Sequence, residues 1–241
     1  MLLCVMLAAL SELLLITPLR AHGGSNIVAL ELAPSAAAFA EGVRRDWTQD
    51  ASGTAPGAEP FCGLGLPHTT AATSRPSLGK LRCNLWLDSL GLVPGYVGLL
   101  LIFTLAFIAP GTGPMRKLAW CLPALGAGLA DLLENGLTLR ALGLLDTPAW
   151  TEATMAAIRQ ASGSKWLLLA VALAVLGHVA WHSRRAAGRG LSQVAAVLCV
   201  IGSVALPVGA WLWRPGIALG MAMMVLVFVL LAWRQWRVAP A

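Results

Sequence analysis

The stretch GAGLADLLENGLTLR, residues 126–140, decides the fold because it places three polar side chains inside a long apolar run. Asp131, Glu134 and Asn135 are spaced i, i+3 and i+4, so a helix carries them on one face. An ionisable residue at membrane depth costs about 2.5–3.5 kcal/mol on insertion scales and usually marks a polar interior or a functional site. The stretch therefore predicts a membrane-spanning helix whose polar face is turned into a helix bundle.

The composition of the whole chain agrees with a membrane protein. The 241 residues are 58% hydrophobic and 12% charged, with a mean hydropathy of +0.75. A soluble domain has about 25% charged residues, so the lipid bilayer is the predicted partner. The net charge of +6 does not indicate a nucleic-acid partner, because the basic residues cluster at the ends of apolar runs, where membrane topology requires them.

The sequence predicts an all-α, polytopic membrane helix bundle with about six transmembrane helices. Residues 1–19 form the first transmembrane helix or a signal anchor, residues 20–85 an extracytoplasmic segment with a short amphipathic helix, and residues 86–241 a five-helix bundle. About 20 apolar residues suffice to cross; the six runs cover residues 2–19, 86–108, 118–142, 165–183, 191–212 and 216–234. The first run lacks a basic n-region and an A-x-A cleavage site, which favours a retained helix, with a cleaved signal peptide as the alternative.

The basic loop residues set the orientation of these spans. If there are six spans, the loops and terminus on one side of the membrane contain basic residues and no acidic ones. These basic residues are Arg116, Lys117, Arg184, Arg185, Arg189, Arg234 and Arg237. The positive-inside rule then places both termini in the cytoplasm of a plasma-membrane protein. Residues 20–85 and 146–164 face outward.

The outward segments carry further local signals. Pro34 and Ser35 open a predicted helix, which is expected to lie on the membrane surface or over the bundle because the segment has few large apolar residues. A short interfacial helix is predicted within 146–164, with Pro148 at its first position. Cys62 and Cys83 would share an oxidising compartment and are predicted either to pair or to remain free thiols.

Helix rise, about 1.5 Å per residue, ranks the polar residues by depth. Tyr96, Asp131 and Glu12 share a central level, while Asp88 and Arg140 share an outer level and are predicted to form an ion pair. The sequence therefore predicts a polar ligand-binding pocket open to the outer face, formed by Asp88, Tyr96, Asp131, Glu134, Asn135, Arg140 and Glu12. The alternative is that these groups only link helices, at about 0.6 kcal/mol per hydrogen bond.

No metal site and no identifiable cofactor are predicted. His178 and His182 are spaced i and i+4, as two metal ligands on a helix could be, but the sequence offers no third ligand at their level. An interfacial histidine and a packed one are the simpler interpretation.

Three motifs in the N-terminal part of the chain carry a resemblance: VALELA at 28–33, LWLD at 85–88 and AGLADLLEN at 127–135. The chain resembles a family of small, uncharacterised bacterial multi-pass membrane proteins. The resemblance implies no reaction, but it implies that one constellation contains Glu31, Asp88, Tyr96, Asp131, Glu134 and Asn135. Ser89 and Leu90 stand where the similar proteins often have aromatic residues, which removes an aromatic wall from the expected pocket.

Three functions fit these observations. The first is a binding or transport module for a cation, proton or small polar ligand, acting as a monomer or a homo-oligomer. The second is a membrane-embedded enzyme on a lipid substrate, with Asp131 or Glu134 as the acid–base group. The third is a structural or assembly protein in which the polar residues fix helix packing.

Overall fold

The structure, a computed structural model, describes residues 27–48, 76–183, 189–212 and 215–238. Throughout these ranges the regular elements are helices, with no strand. Four helices are long and apolar enough to cross a membrane: Leu81–Phe107, Glu152–Trp181, Arg189–Trp211 and Pro215–Trp236. The predicted all-α, membrane-embedded architecture is thereby confirmed at this level. The first predicted span, residues 2–19, lies outside the described residues.

Eight α-helices follow one another along the described chain. They are α1 Ile27–Glu31, α2 Ala36–Thr48, α3 Pro76–Leu87, α4 Val93–Phe107, α5 Pro114–Leu144, α6 Glu152–Trp181, α7 Arg189–Trp211 and α8 Pro215–Val238. The helices divide into two compact units. The carboxylate unit comprises the described residues among 27–95 and 131–162, and the apolar unit those among 96–130 and 163–238.

A π-helical segment, Asp88–Leu92, joins α3 to α4 without interrupting the rod. The backbone N–H of Val93 donates to the carbonyl oxygen of Asp88, five residues earlier, which is the π-helical pattern. Pro94 follows directly and has no N–H to donate to the carbonyl of Leu90. The wider turn thus lies where the proline disrupts the α-helical ladder, and such segments occur frequently at functional sites.

Two residues cap the first turn of α2: Ser35, directly before the helix, and Glu152, which is distant in the sequence. The Ser35 hydroxyl accepts a hydrogen bond from the backbone N–H of Ala38 at 3.1 Å, so Ser35 is the N-cap. The Glu152 carboxylate accepts the backbone N–H of Ala36 at 2.9 Å, which adds a negative charge at the positive end of the helix. Segment 27–48 is therefore fixed on the start of α6.

An apolar cluster holds this segment against α3, α5 and α6. The Phe39 and Trp150 rings lie 5.1 Å apart between centroids, and the Trp150 indole N–H donates to the carbonyl of Ala36 at 3.1 Å. The buried members of the cluster come from α1, α2, α3, α5, α6 and the turn between α1 and α2: Leu30, Ala33, Ala36, Phe39, Val43, Leu81, Leu85, Ala141, Leu142, Met155 and Ile158. The segment thus packs on other helices. Of the two predicted placements, on the membrane surface or over the bundle, this agrees with the second.

The prediction of a separate, short interfacial helix within 146–164 is wrong. Helix α6 runs unbroken over 30 residues from Glu152, with Thr151 as its N-cap through a 3.4 Å hydrogen bond from the Thr154 N–H. Pro148 lies in the preceding turn instead of opening the helix. A helix of this length extends about 45 Å, longer than the roughly 30 Å hydrocarbon core, so one helix supplies both the membrane span and the turns that carry α2.

The apolar unit contains a tight hairpin of α7 and α8. A methyl group added at Gly209 would lie 2.2 Å from the backbone nitrogen of Ile217, and one added at Gly216 would lie 2.9 Å from the Gly209 Cα. Gly216 and Gly220 form a GxxxG pattern, which permits this backbone approach in membrane helices.

Because the two backbones are so close in this hairpin, we expect one added methyl group to destabilise the folded protein. Gly209→Ala should lower the free energy of unfolding by about 1–3 kcal/mol or more, because the added atom meets backbone that cannot rotate away. Gly190→Ala, on the same helix with no atom within 4 Å of its added Cβ, should be neutral or slightly stabilising. Melting curves in detergent compare the two, and equal melting temperatures would contradict the hairpin contact.

Candidate functional site

Asn135 links α5 to the π-helical segment. Its side-chain amide, Nδ2, donates to Asp88 Oδ2 at 2.7 Å and lies 3.1 Å from Ser89 Oγ. The Ser89 hydroxyl in turn donates to the Leu85 carbonyl at 2.8 Å, so its lone pairs accept the amide N–H of Asn135. Two of the predicted pocket residues, Asp88 and Asn135, are thereby in direct contact.

The polar face of α5 is buried while its apolar face is exposed. Asp131 is 5% exposed and Glu134 fully buried, whereas Leu132 and Leu133, on the opposite side of the helix, are 43% and 58% exposed. A soluble helix has the reverse pattern. The inversion fits a helix whose leucines face lipid and whose carboxylates face protein.

Further buried polar atoms lie on the helices of the carboxylate unit. Within the described chain no hydrogen-bond partner is found for Asn84 Nδ2, Asn135 Oδ1, Thr138 Oγ1 and Ser162 Oγ. Thr138 follows Asp131, Glu134 and Asn135 on the same face of α5. A buried polar group without a partner costs about 1–3 kcal/mol, so such a group needs a specific explanation, of which ligand binding is one.

The other predicted site residues either do not join this contact or lie outside the described part of the chain. Arg140 is exposed, and among the described residues its guanidinium forms no ion pair, so Asp88 is bonded to Asn135 where Arg140 was expected. Tyr96 is buried on α4 in the apolar unit. Glu12 is not among the described residues. Glu31, which the resemblance adds to the group, is buried at the end of α1.

No group of three or more His, Cys, Asp or Glu side chains that could hold a metal ion is found in the described part of the chain. His178 and His182 do lie together, with ring centroids 4.6 Å apart, and the Trp120 ring stacks on His178 at 5.5 Å. The structure therefore brings the two imidazoles together with an indole.

Two buried cations were missed by the sequence analysis. Lys165 lies with its ammonium nitrogen 4.7 Å from the ring centroid of Trp166, and Arg234 is fully buried with its guanidinium 4.7 Å from the centroid of Phe107. Arg234 also lies 3.5 Å from the Ser183 hydroxyl. The sequence pattern predicts Arg234 only as a terminal cation and assigns no role to Lys165. For Lys165 the available signal was the adjacent Trp166, whereas the aromatic partner of Arg234, Phe107, is distant in the sequence and gives no local signal.

Cys83, on α3, is in a disulfide bond. Cys121 and Cys199 are free, so the partner lies outside the described residues, where the sequence has Cys4 and Cys62. The prediction that Cys83 pairs is supported. Cys62, the partner considered for it, lies outside the described residues.

No family model, no curated protein and no solved structure matches the chain. The resemblance to small bacterial membrane proteins stays a prediction.

A double-mutant cycle tests the contact between α5 and the π-helical segment. Asp88→Ala and Asn135→Ala should show a coupling energy of about 1.5–3 kcal/mol in the free energy of unfolding, because the amide bonds a partly buried carboxylate. Arg44 and Asp146, 3.9 Å apart with side chains 52% and 78% exposed, provide a reference cycle expected below about 1 kcal/mol. A coupling no larger than that of the reference pair would contradict the contact.

Proposed function

We propose that this chain is a multi-pass plasma-membrane protein that binds a proton or small cation at a buried carboxylate–amide site. The observation that carries the proposal is the Asn135 amide bonded to Asp88 across two helices, with Asp131 and Glu134 buried on the same face of α5. Asp131 and Glu134 are about one helical turn apart on this buried face, and like carboxylates at close range cannot both ionise without a compensating proton or cation. The buried polar side chains of the carboxylate unit all carry an oxygen atom, as in Asp131, Glu134 and Thr138, and oxygen is the ligand type that hard cations prefer.

The proposed topology has about six spans with both termini in the cytoplasm. It counts α5 as a span, since its 31 residues are long enough to cross and its exposed side is leucine-rich. The disulfide at Cys83 supports an oxidising, extracytoplasmic location for the start of α3 and for the site near it. The site would then be reached from outside the cell.

The enzyme alternative has less support. Ser89 shares the Asn135 amide with Asp88, and its hydroxyl proton is donated to the Leu85 carbonyl at 2.8 Å. An activated serine nucleophile instead donates its proton to a general base. The purely structural alternative accounts for the Asp88–Asn135 bond but not for the additional carboxylates on α5, which a packing role does not require.

Infrared spectroscopy of the purified protein tests the site. At neutral pH the wild type should show the carbonyl band of a buried protonated carboxyl group, or a melting temperature that rises with Na⁺ or K⁺. Asp131→Asn or Glu134→Gln should remove that signal without lowering the melting temperature, since functional carboxylates are often destabilising. Glu41→Gln, the same chemical change at an exposed residue of α2, should leave the signal intact.

The proposal fails if the wild type shows neither the protonated-carboxyl band nor a cation-dependent melting temperature. It also fails if Asp131→Asn and Glu134→Gln only destabilise the protein, since that result identifies the residues as helix-packing groups.

Cysteine labelling of intact cells tests the topology. Ala149→Cys, in the exposed turn before α6, should react with a membrane-impermeant maleimide from outside. Gly113→Cys, in the exposed turn before α5, should react only after the membrane is permeabilised. The reverse pattern would overturn the proposed orientation.

A further inference from the structure

The apolar unit carries positive charge with no carboxylate to balance it. Residues 96–130 and 163–241 contain nine Lys and Arg and no Asp or Glu, so every acidic residue of the chain lies in the remaining sequence. Lys165 and Arg234 are buried against aromatic rings. A carboxylate that balances the exposed cations of this unit would therefore have to come from the rest of the chain, and among the described residues no ion pair of Arg116 or Lys117 is found.

Four exposed side chains and the half-buried Trp120 lie where the start of α5 meets the end of α6. The Trp120 and His178 rings are stacked, 5.5 Å apart and within 10° of parallel, and the His182 ring lies 4.6 Å from that of His178. Arg116 and Lys117 precede Trp120 by four and three residues, so they lie on its face of α5, and both are exposed. The basic–aromatic patch is defined as Arg116, Lys117, Trp120, His178 and His182.

The position of the two cations is unfavourable for the helix itself. Arg116 and Lys117 lie in the first turn of α5, which contains no acidic residue. A helix N-terminus carries partial positive charge, so cations there repel the helix dipole and anions are attracted. Their presence in this turn, beside two imidazoles, concentrates positive potential where an anion would be held.

We propose that the basic–aromatic patch binds a phosphate group, either that of an anionic phospholipid headgroup or free phosphate. The imidazole rings each offer at least one N–H donor to a phosphate oxygen, and Arg116 offers a bidentate fork. Stacking on Trp120 fixes the His178 ring in place. The indole also suits the interfacial zone of a bilayer, where the headgroup phosphates lie.

A metal ion is a poorer occupant of the patch. Two imidazoles alone do not complete a zinc site, and the two cations beside them repel a metal ion. The basic side chains that disfavour a metal favour a phosphate, so one ligand chemistry accounts for all five members.

The purified full chain in a neutral detergent can be titrated with three probes: dihexanoyl phosphatidylglycerol, dihexanoyl phosphatidylcholine and inorganic phosphate. Binding is followed by the melting temperature and by native mass spectrometry. Phosphatidylglycerol should bind saturably and raise the melting temperature, whereas phosphatidylcholine should not. Arg116→Ala/Lys117→Ala should weaken the apparent affinity at least about tenfold, since each basic side chain near an anionic surface contributes about fivefold.

The double variant His178→Phe/His182→Phe distinguishes a defined phosphate site from general attraction by the positive charge of this surface. The phenyl rings preserve the stack on Trp120 but remove the N–H donors, so the affinity should fall at least about fivefold if the imidazoles bind the phosphate. Arg44→Ala, which removes one exposed cation from α2, is the control and should bind as the wild type does.

Each outcome decides the proposal. Stabilisation by phosphatidylglycerol but not by inorganic phosphate supports a lipid headgroup site, and equal stabilisation by both supports a site for free phosphate. Equal binding of the two lipids with no effect of inorganic phosphate overturns the proposal. Wild-type affinity in both double variants overturns it as well, because it moves the bound anion away from this patch.

Discussion

Burying carboxylates inside an apolar bundle is the constraint on which the rest of this structure depends. An ion moved from water into a protein interior loses several kcal/mol of solvation unless partners replace the water. Asp88 receives an amide hydrogen bond of 2.7 Å from Asn135, and the π-helical turn at Asp88 brings Ser89 into the same contact. The polar face of α5 is turned inward for the same reason, which leaves leucines on its outer face.

The same constraint organises charge along the chain. Carboxylates are confined to residues up to 95 and to 131–152, whereas the apolar unit carries only cations. Buried cations of that unit lie over aromatic rings, as Arg234 does over Phe107, which partly replaces solvation through cation–π attraction. The acidic residues are therefore separated from the apolar unit along the sequence.

The sequence was sufficient for features that depend on local spacing. Hydrophobic run lengths predicted the apolar helices, Ser35 predicted the start of α2, and the i, i+3, i+4 spacing placed Asp131, Glu134 and Asn135 on one buried face. Features that depend on contacts between distant segments could not be obtained in this way. The partner of Asp88 was assigned by depth to Arg140, but a π-helical turn changes the rotation of the helix, and the nearer amide of Asn135 forms the bond. The capping of α2 by Glu152 joins residues 116 positions apart and has no local signal.

The contact between the Asn135 amide and the Asp88 carboxylate joins α5 to the π-helical segment. Solid-state NMR on the protein in lipid bilayers, with ¹⁵N in the Asn135 side chain and ¹³C in the Asp88 carboxyl group, measures this contact directly. A hydrogen bond of 2.7 Å between Nδ2 and Oδ2 requires a nitrogen–carbon distance under about 4 Å. A distance beyond about 6 Å, too long for any hydrogen bond between the two groups, would contradict the account.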